Sequence, residues 1–204
     1  AVEFSHFDKP YFGFYFDQDG KEDYFDEEAN SLRKAFLKSP LKFSRLSSRY
    51  TMRRFHPVQK RWKAHLGTDY AAPTGTPIMT TGDGVVIAAS YTRGNGKYVK
   101  VKHNSAYTTQ YLHMSRRNVK VGQHVRQGDI IGFVGSTGLA TGPHVCYRFW
   151  KNGKQVDHLR EDFPSAEPIK ENNKSRFEQE KEMWMKKLDS IQLEKEKHLM
   201  ASQS

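Results

Sequence analysis

Cysteine is almost missing from this 204-residue chain: Cys146 stands alone. That excludes an intrachain disulfide framework and leaves one thiol that is either buried or put to use. Long apolar runs are missing too. The longest, Val85 to Ala89, falls far short of the ~20 residues that a membrane span requires, and a mean hydropathy of −0.81 marks much of the chain as solvated. No basic-then-apolar leader precedes the body; because the sequence opens at Ala1 rather than Met, an export signal removed or left out stays open. Phosphate-binding glycine loops, dinucleotide fingerprints and zinc-finger spacings do not occur. Acidic residues are scarce in one region only. Residues 31–160 hold 4 of the 23 acids but 23 of the 33 Lys and Arg, a net of +19 within a chain of +10. Such a body suits a polyanion: nucleic acid, an anionic cell-wall polymer or an anionic lipid surface.

What is present falls into three parts. Residues 1–44 combine acids with aromatics, and Tyr11, Phe12, Phe14, Tyr15, Phe16, Tyr24 and Phe25 flank an Asp19-Gly20 turn, which predicts an N-terminal β-hairpin extension that packs on the body. Ser31 to Lys38 reads as a short helix or a strand, ended by Pro40. Residues 45–160 are all-β: Gly84 to Ala89, Tyr98 to His103, Tyr107 to His113, Asp129 to Val134 and Val145 to Lys151 are short runs bounded by Gly, Asn, Asp or Pro, spaced as in an antiparallel meander. Ser44 to His56, rich in Arg, Ser and Thr, favours a loop or edge segment. Residues 161–204 form a linker and a helix, with Phe177, Trp184, Leu188 and Ile191 on one stripe among Glu and Lys, a face that suits docking on the body, the favoured reading, or pairing with another chain.

The chain is organised around Gly135 to Trp150. A Gly-rich loop stops at Pro143, and a β-branched and aromatic run follows, so His144 and Cys146 open a strand and, at i and i+2, point to the same face. That is a metal-site geometry, although alone such a pair is more often packed than ligating. Two more segments carry the needed residue types. In HLGTDYAAPTGTP, His65 and Asp69 share a face whether the backbone is helical or extended, with Gly67 and Pro73 arguing against helix. In YLHM, His113 ends a strand whose hairpin partner ends in His103. Gly138 and Gly142 serve loop dihedrals, His56 and His103 structural hydrogen bonds, and His6, His124, His158 and His198 the surface.

The ordered trio HLGTDYAAPTGTP, YLHM and GSTGLATGPHVCYRF, with GQHVRQGDIIG between the last two, resembles the LytM/lysostaphin family of zinc metallopeptidases that cut peptidoglycan cross-bridges. SRYTMRRFHPV resembles the Gram-negative D,D-endopeptidase branch, which cuts the D-alanine to diaminopimelate link. The resemblance implies a mainly β fold with antiparallel sheets forming a LytM-type groove. It implies Zn²⁺ as cofactor, with His65, Asp69 and Cys146 as ligands, and His113 and His144 as catalytic residues at the bound water and developing oxyanion, their roles undivided. Cys146 is the main departure, since the family places a second His there; Arg148 and His158 also depart from an acid and a proline. Thiolate is nonetheless a ready zinc ligand. The implied partners are peptidoglycan cross-link peptides, with no nucleic acid and no transmembrane segment, in the periplasm or cell envelope. A second reading is a catalytically inactive relative that binds and activates a wall amidase; against it, His65, Asp69, His113 and His144 all stand. A nucleic-acid-binding β module rests on charge alone and lacks exposed aromatic and basic interleaving.

Overall fold

The computed structural model describes residues 1–6, 9–56 and 60–201, in two units: residues 1–35 with 163–204, and residues 36–162. Pro57 and the side chains of His6, His56 and His198 lie outside the described residues.

In the first unit, β1 (Val2–His6), β2 (Lys9–Gln18) and β3 (Lys21–Phe25) form an antiparallel sheet in chain order. Asp19 and Gly20 both have positive φ, 56° and 79°, as a two-residue hairpin turn with right-handed strand twist demands. Phe14, Phe16 and Phe25 are buried around Phe177 of helix α1 (Lys174–Ala201), each meeting that ring edge-on at centroid distances of 5.5–6.2 Å. The two ends of the chain, read from sequence as separate appendages, thus share one core. Trp184 packs on that core and Leu188 is half-buried, but Ile191 is 48% exposed. At ~1.5 Å rise per residue the helix has run ~20 Å beyond Phe177 by Ile191, past the small aromatic cluster. Ser31 to Lys38 forms neither helix nor strand, only isolated bridges at Ser31 and Lys34.

The second unit contains β4 (Arg45–Ser48), β5 (Thr51–His56), β6 (Arg61–His65), β7 (Thr68–Ala71), β8 (Pro77–Met79), β9 (Gly84–Thr92), β10 (Gly96–Lys102), β11 (Tyr107–Met114), β12 (Arg116–Arg117), β13 (His124–Val125), β14 (Ile130–Phe133), β15 (His144–Lys151) and β16 (Lys154–Val156). An antiparallel sheet runs β13-β9-β10-β11-β15-β7-β4, with β16 beside β15; β12-β14-β8 and β5-β6 form two smaller sheets. The five strands expected from sequence are β9, β10, β11, β14 and β15. Ser44 to His56 becomes edge strand β4 and one arm of a hairpin. Register places Val99, Tyr111, Tyr147 and Thr68 in one row, and Val101, Thr109 and Phe149 in the next, so this face of the large sheet is core. The buried hydroxyls of Tyr111 and Tyr147 both meet Thr81 Oγ1, at 3.1 and 2.8 Å, which satisfies polar groups that would otherwise be costly there.

His158 corrects the sequence reading: it is 3% exposed rather than on the surface. The Tyr70 hydroxyl donates to Lys38 O, so His158 Nε2 donates to Tyr70 across 2.8 Å and the ring sits neutral. Burial pushes its pKa down to about 4. The unfolded chain takes up a proton near the ordinary value of about 6.5 and the folded chain does not, so this stability is present above ~6.5 and lost as pH falls toward 4. Between pH 7 and pH 5 it amounts to about 2 kcal/mol. His158→Gln should therefore flatten the pH dependence of urea unfolding by about that much at equal metal load; an unchanged slope contradicts the neutral buried ring.

Candidate metal centre

Strand alternation puts His144, Cys146 and Arg148 on the face of β15 opposite Tyr147. Antiparallel register sets Asp69 directly across from Cys146, and Ala71 across from His144. His65 ends β6, and Leu66-Gly67 leads the chain into β7. A Cβ at Gly67 would stand 2.9 Å from Cys146 Sγ and 3.0 Å from Tyr147 O, so only glycine lets the chain pass this close. The result is that His65 Nε2 lies 3.0 Å from Asp69 Oδ1 and 3.6 Å from Cys146 Sγ. The ligating atoms of His65, Asp69 and Cys146 all fall within 4.8 Å of one another.

His113 arrives by a different device. From Leu112 onward simple alternation would turn it into the core, but β10 and β11 change register between the Val99–Tyr111 and Lys97–Met114 pairs. One extra residue on β11 makes a bulge, and His113 sits in it with φ 64°. The bulge turns the imidazole into the cleft, where its ring meets His144 at a centroid distance of 4.7 Å. A left-handed histidine costs ~1 kcal/mol or more, a strain found here at a residue that the motif pattern marks as functional.

The three imidazoles are oriented alike. His65 Nδ1 is 3.0 Å from Arg49 O, His113 Nδ1 2.8 Å from Thr137 O, and His144 Nδ1 2.8 Å from Gly142 O. A carbonyl only accepts, so each Nδ1 carries a proton and each ring turns its Nε2 to the cleft. Burial pushes the pKa of His113 down to about 4, keeping its Nε2 lone pair free at neutral pH. Burial also pushes the Cys146 thiol up to about 12, helped by the nearby Asp69 charge. For Asp69, burial acts upward, but His65 and His144 outweigh it and hold the carboxyl below its usual value.

Asp69 Oδ1 is buried and has no hydrogen-bond partner, although it lies 3.0 Å from His65 Nε2. Those two atoms, with the Cys146 sulfur 3.6 Å from His65 Nε2, cluster closely enough to share one cation. The donor set therefore fits a metal ion: imidazole, carboxylate and sulfur on one side, an open cleft of about 510 Å³ on the other. His144 Nε2 is 3.9 Å from Asp69 Oδ1 and, with His113, flanks the three donors.

Sequence reasoning missed several participants. Arg54 reaches Asp69 Oδ2 at 3.7 Å and also bonds Ser48 Oγ, and the carbonyls of Arg49, Thr137 and Gly142 carry no side-chain signal at all. Arg148 was findable, because it continues the i, i+2 alternation from Cys146. Gly138 has φ 75° and a Cβ there would overlap the Gly96 backbone, whereas Gly142 has ordinary dihedrals and open space. His103 closes its ring between Asp83 O and Thr109 Oγ1, and His124 is exposed. Beside the site, hairpin β5–β6 exposes Met52, Phe55 and Trp62, with Arg53 over the Trp62 ring at 4.9 Å. That is an aromatic and basic interleaving the sequence reading says is lacking.

A sheet groove holding His, Asp and Cys donors with two further imidazoles beside them is a metallopeptidase type of centre. Residues 63–158 match peptidase family M23, and the chain belongs to that family. It is 45% identical over 171 residues to the peptidoglycan DD-endopeptidase ShyC of Vibrio cholerae, covering 84% of this chain and 40% of that protein. A zinc-containing peptidase from Vibrio cholerae superposes with a TM-score of 0.61 at 36% identity, covering 79% of this chain and 50% of that one. The catalytic domain of the prophage-encoded M23 protein EnpA from Enterococcus faecalis gives 0.52 at 36% identity, covering 59% and 95%. The chain spans about two fifths of the length of the curated relatives it matches.

Proposed function

We propose that this chain is a zinc-dependent endopeptidase that hydrolyses peptide cross-links of peptidoglycan in the cell envelope. The observation that carries this is the orphaned Asp69 Oδ1 set among His65 Nε2 and Cys146 Sγ, with the imidazoles of His113 and His144 alongside. His65, Asp69 and Cys146 would hold the ion, and sulfur with imidazole favours zinc over magnesium or calcium. Bound there, Zn²⁺ supplies Lewis-acid polarisation of the scissile carbonyl and a water acidic enough to react at neutral pH.

The chain's own residues move the protons. His113 and His144 each keep Nδ1 donated to a backbone carbonyl and turn Nε2 to the cleft, so the pair takes the proton of the attacking water and returns it to the leaving amine nitrogen. As imidazolium, either ring hydrogen-bonds the oxyanion that forms. The net charge of +19 over residues 31–160 suits an anionic wall polymer. Among the described residues no helix is long and apolar enough to cross a membrane. The relatives named as peptidoglycan DD-endopeptidases support the same substrate, and the retention of both histidines argues against the inactive amidase-activator reading.

Purified protein should contain about one zinc per chain, lose cleavage of cross-linked muropeptides on chelation and recover it with Zn²⁺. Undiminished cleavage by metal-free protein sinks the proposal.

A further inference from the structure

Among the described residues, two buried side-chain polar atoms stand without a hydrogen-bond partner: Asp69 Oδ1 and Arg148 Nε. A metal ion accounts for the first. The second lies beside the same sulfur, because Arg148 is two residues along β15 from Cys146 on the same face, while Asp69 is directly across the ladder from it. Gly67 draws the two side chains of β15 together. A Cβ there would stand 2.9 Å from Cys146 Sγ and 3.0 Å from Arg148 Cγ, so the sulfur and the arginine stem close on the same bare stretch of backbone.

No carboxylate answers this guanidinium. Asp69 is the sole acid lining the cleft; its Oδ2 is engaged by Arg54, and its Oδ1 is grouped with the metal donors. A buried donor on a cationic group is costly when left open. The acceptor beside it is the Cys146 sulfur, which is a weak one as a thiol and a strong one as a charged thiolate. A cysteine that ligates a metal is deprotonated outright. Of the charges that act on this sulfur, Asp69 disfavours the thiolate and Arg148 favours it.

Resting on the reading of Cys146 as a metal ligand, we infer that Arg148 is a positioning residue for that ligand, its Nε–H donating to the Cys146 thiolate when an ion is bound. Filling the site then satisfies both orphaned atoms at once. The donor fixes the direction of the sulfur and draws charge from it, which leaves the ion more electrophilic than a thiolate and a carboxylate alone would make it.

A double-mutant cycle tests the coupling. Arg148→Met keeps an apolar stem and removes donor and charge. It should lower zinc affinity about 10- to 100-fold, the usual range for loss of a group that hydrogen-bonds a metal ligand. In the Cys146→His background the same change should leave affinity within about 2-fold, the scatter of independent substitutions, because a metal-bound imidazole has no lone pair left for a donor. Cobalt-loaded protein gives a second readout: the sulfur-to-metal charge-transfer band should move to lower energy in Arg148→Met, since nothing then stabilises the sulfur lone pairs. Unchanged affinity, an equal loss in both backgrounds or a band that stays in place overturns the inference and leaves Arg148 a packing residue. A cobalt-loaded wild type without such a band overturns the ligand reading, and the inference with it. A band that moves in a protein that cleaves no muropeptide keeps the inference and removes only hydrolysis. Should the variants not fold, NMR of the wild-type chain decides: the Arg148 Nε–H resonance should move downfield when zinc is added, and an unmoved resonance rules out the donation.

Discussion

Asp69→Ala is expected to lose both metal and turnover, whereas His113→Asn should keep about one metal ion per chain and lose turnover by about 10²- to 10⁴-fold. The difference follows from where each side chain stands. Asp69 Oδ1 is the orphaned oxygen among the donors, 3.0 Å from His65 Nε2; without it two donors remain, too few for a stable zinc site. His113 contributes none of the three clustered donor atoms. His113 lines the same cleft, and the role proposed for it is on protons. Asparagine is the informative replacement, because His113 occupies φ 64° and Asn tolerates the left-handed region better than alanine. The bulge then stays in place while the titratable nitrogen goes. Metal analysis of both purified variants, beside muropeptide cleavage, separates ligand from proton carrier. Metal lost in both, or turnover kept in His113→Asn, overturns the division of roles.

His113 also shows where sequence reading stops. His144 and Cys146 on one face follow from a period of two, and that alternation extends to Arg148. Asp69 opposite Cys146 needs the register of β7 against β15, which motif order suggests but local pattern does not contain. His113 would face the core if β11 were regular; only a bulge, defined by pairing with β10, brings it to the site. The burial of His158 depends on Tyr70, 88 residues away, and a polar residue in a turn-rich segment gives no local sign of such a partner. The core formed by Phe14, Phe16 and Phe25 with Phe177 joins the two ends of the chain, a contact invisible to any window of periodicity. Strand positions, by contrast, were legible, because Gly, Asn and Asp turns punctuate runs whose alternation fixes which face is apolar.

Cys146 should make metal affinity rise steeply with pH. In metal-free protein burial holds the thiol up to about 12, with the Asp69 charge adding to it, so at neutral pH the group is protonated and binding Zn²⁺ as thiolate must expel that proton. With one proton released per ion, the association constant should climb about 10-fold per pH unit between pH 7 and pH 9. Cys146→His replaces the thiol with a ring that is already unprotonated above its ordinary value near 6.5, and the slope should fall toward zero while binding persists. Cys146→Ser keeps the size but offers a poor ligand; affinity should drop by more than about 100-fold, beyond what loss of a group merely supporting a ligand produces. Competition with a zinc-binding dye across pH measures all three. An independent consequence comes from redox chemistry: hydrogen peroxide should release zinc from the wild-type chain as the thiolate oxidises, and leave the Cys146→His protein loaded. Zinc held equally by wild type and Cys146→Ser, with no pH slope in either, would show that the sulfur is a packed neighbour of His65 and Asp69 and that the third donor lies elsewhere, with His144, 3.9 Å from Asp69 Oδ1, the first residue to substitute next.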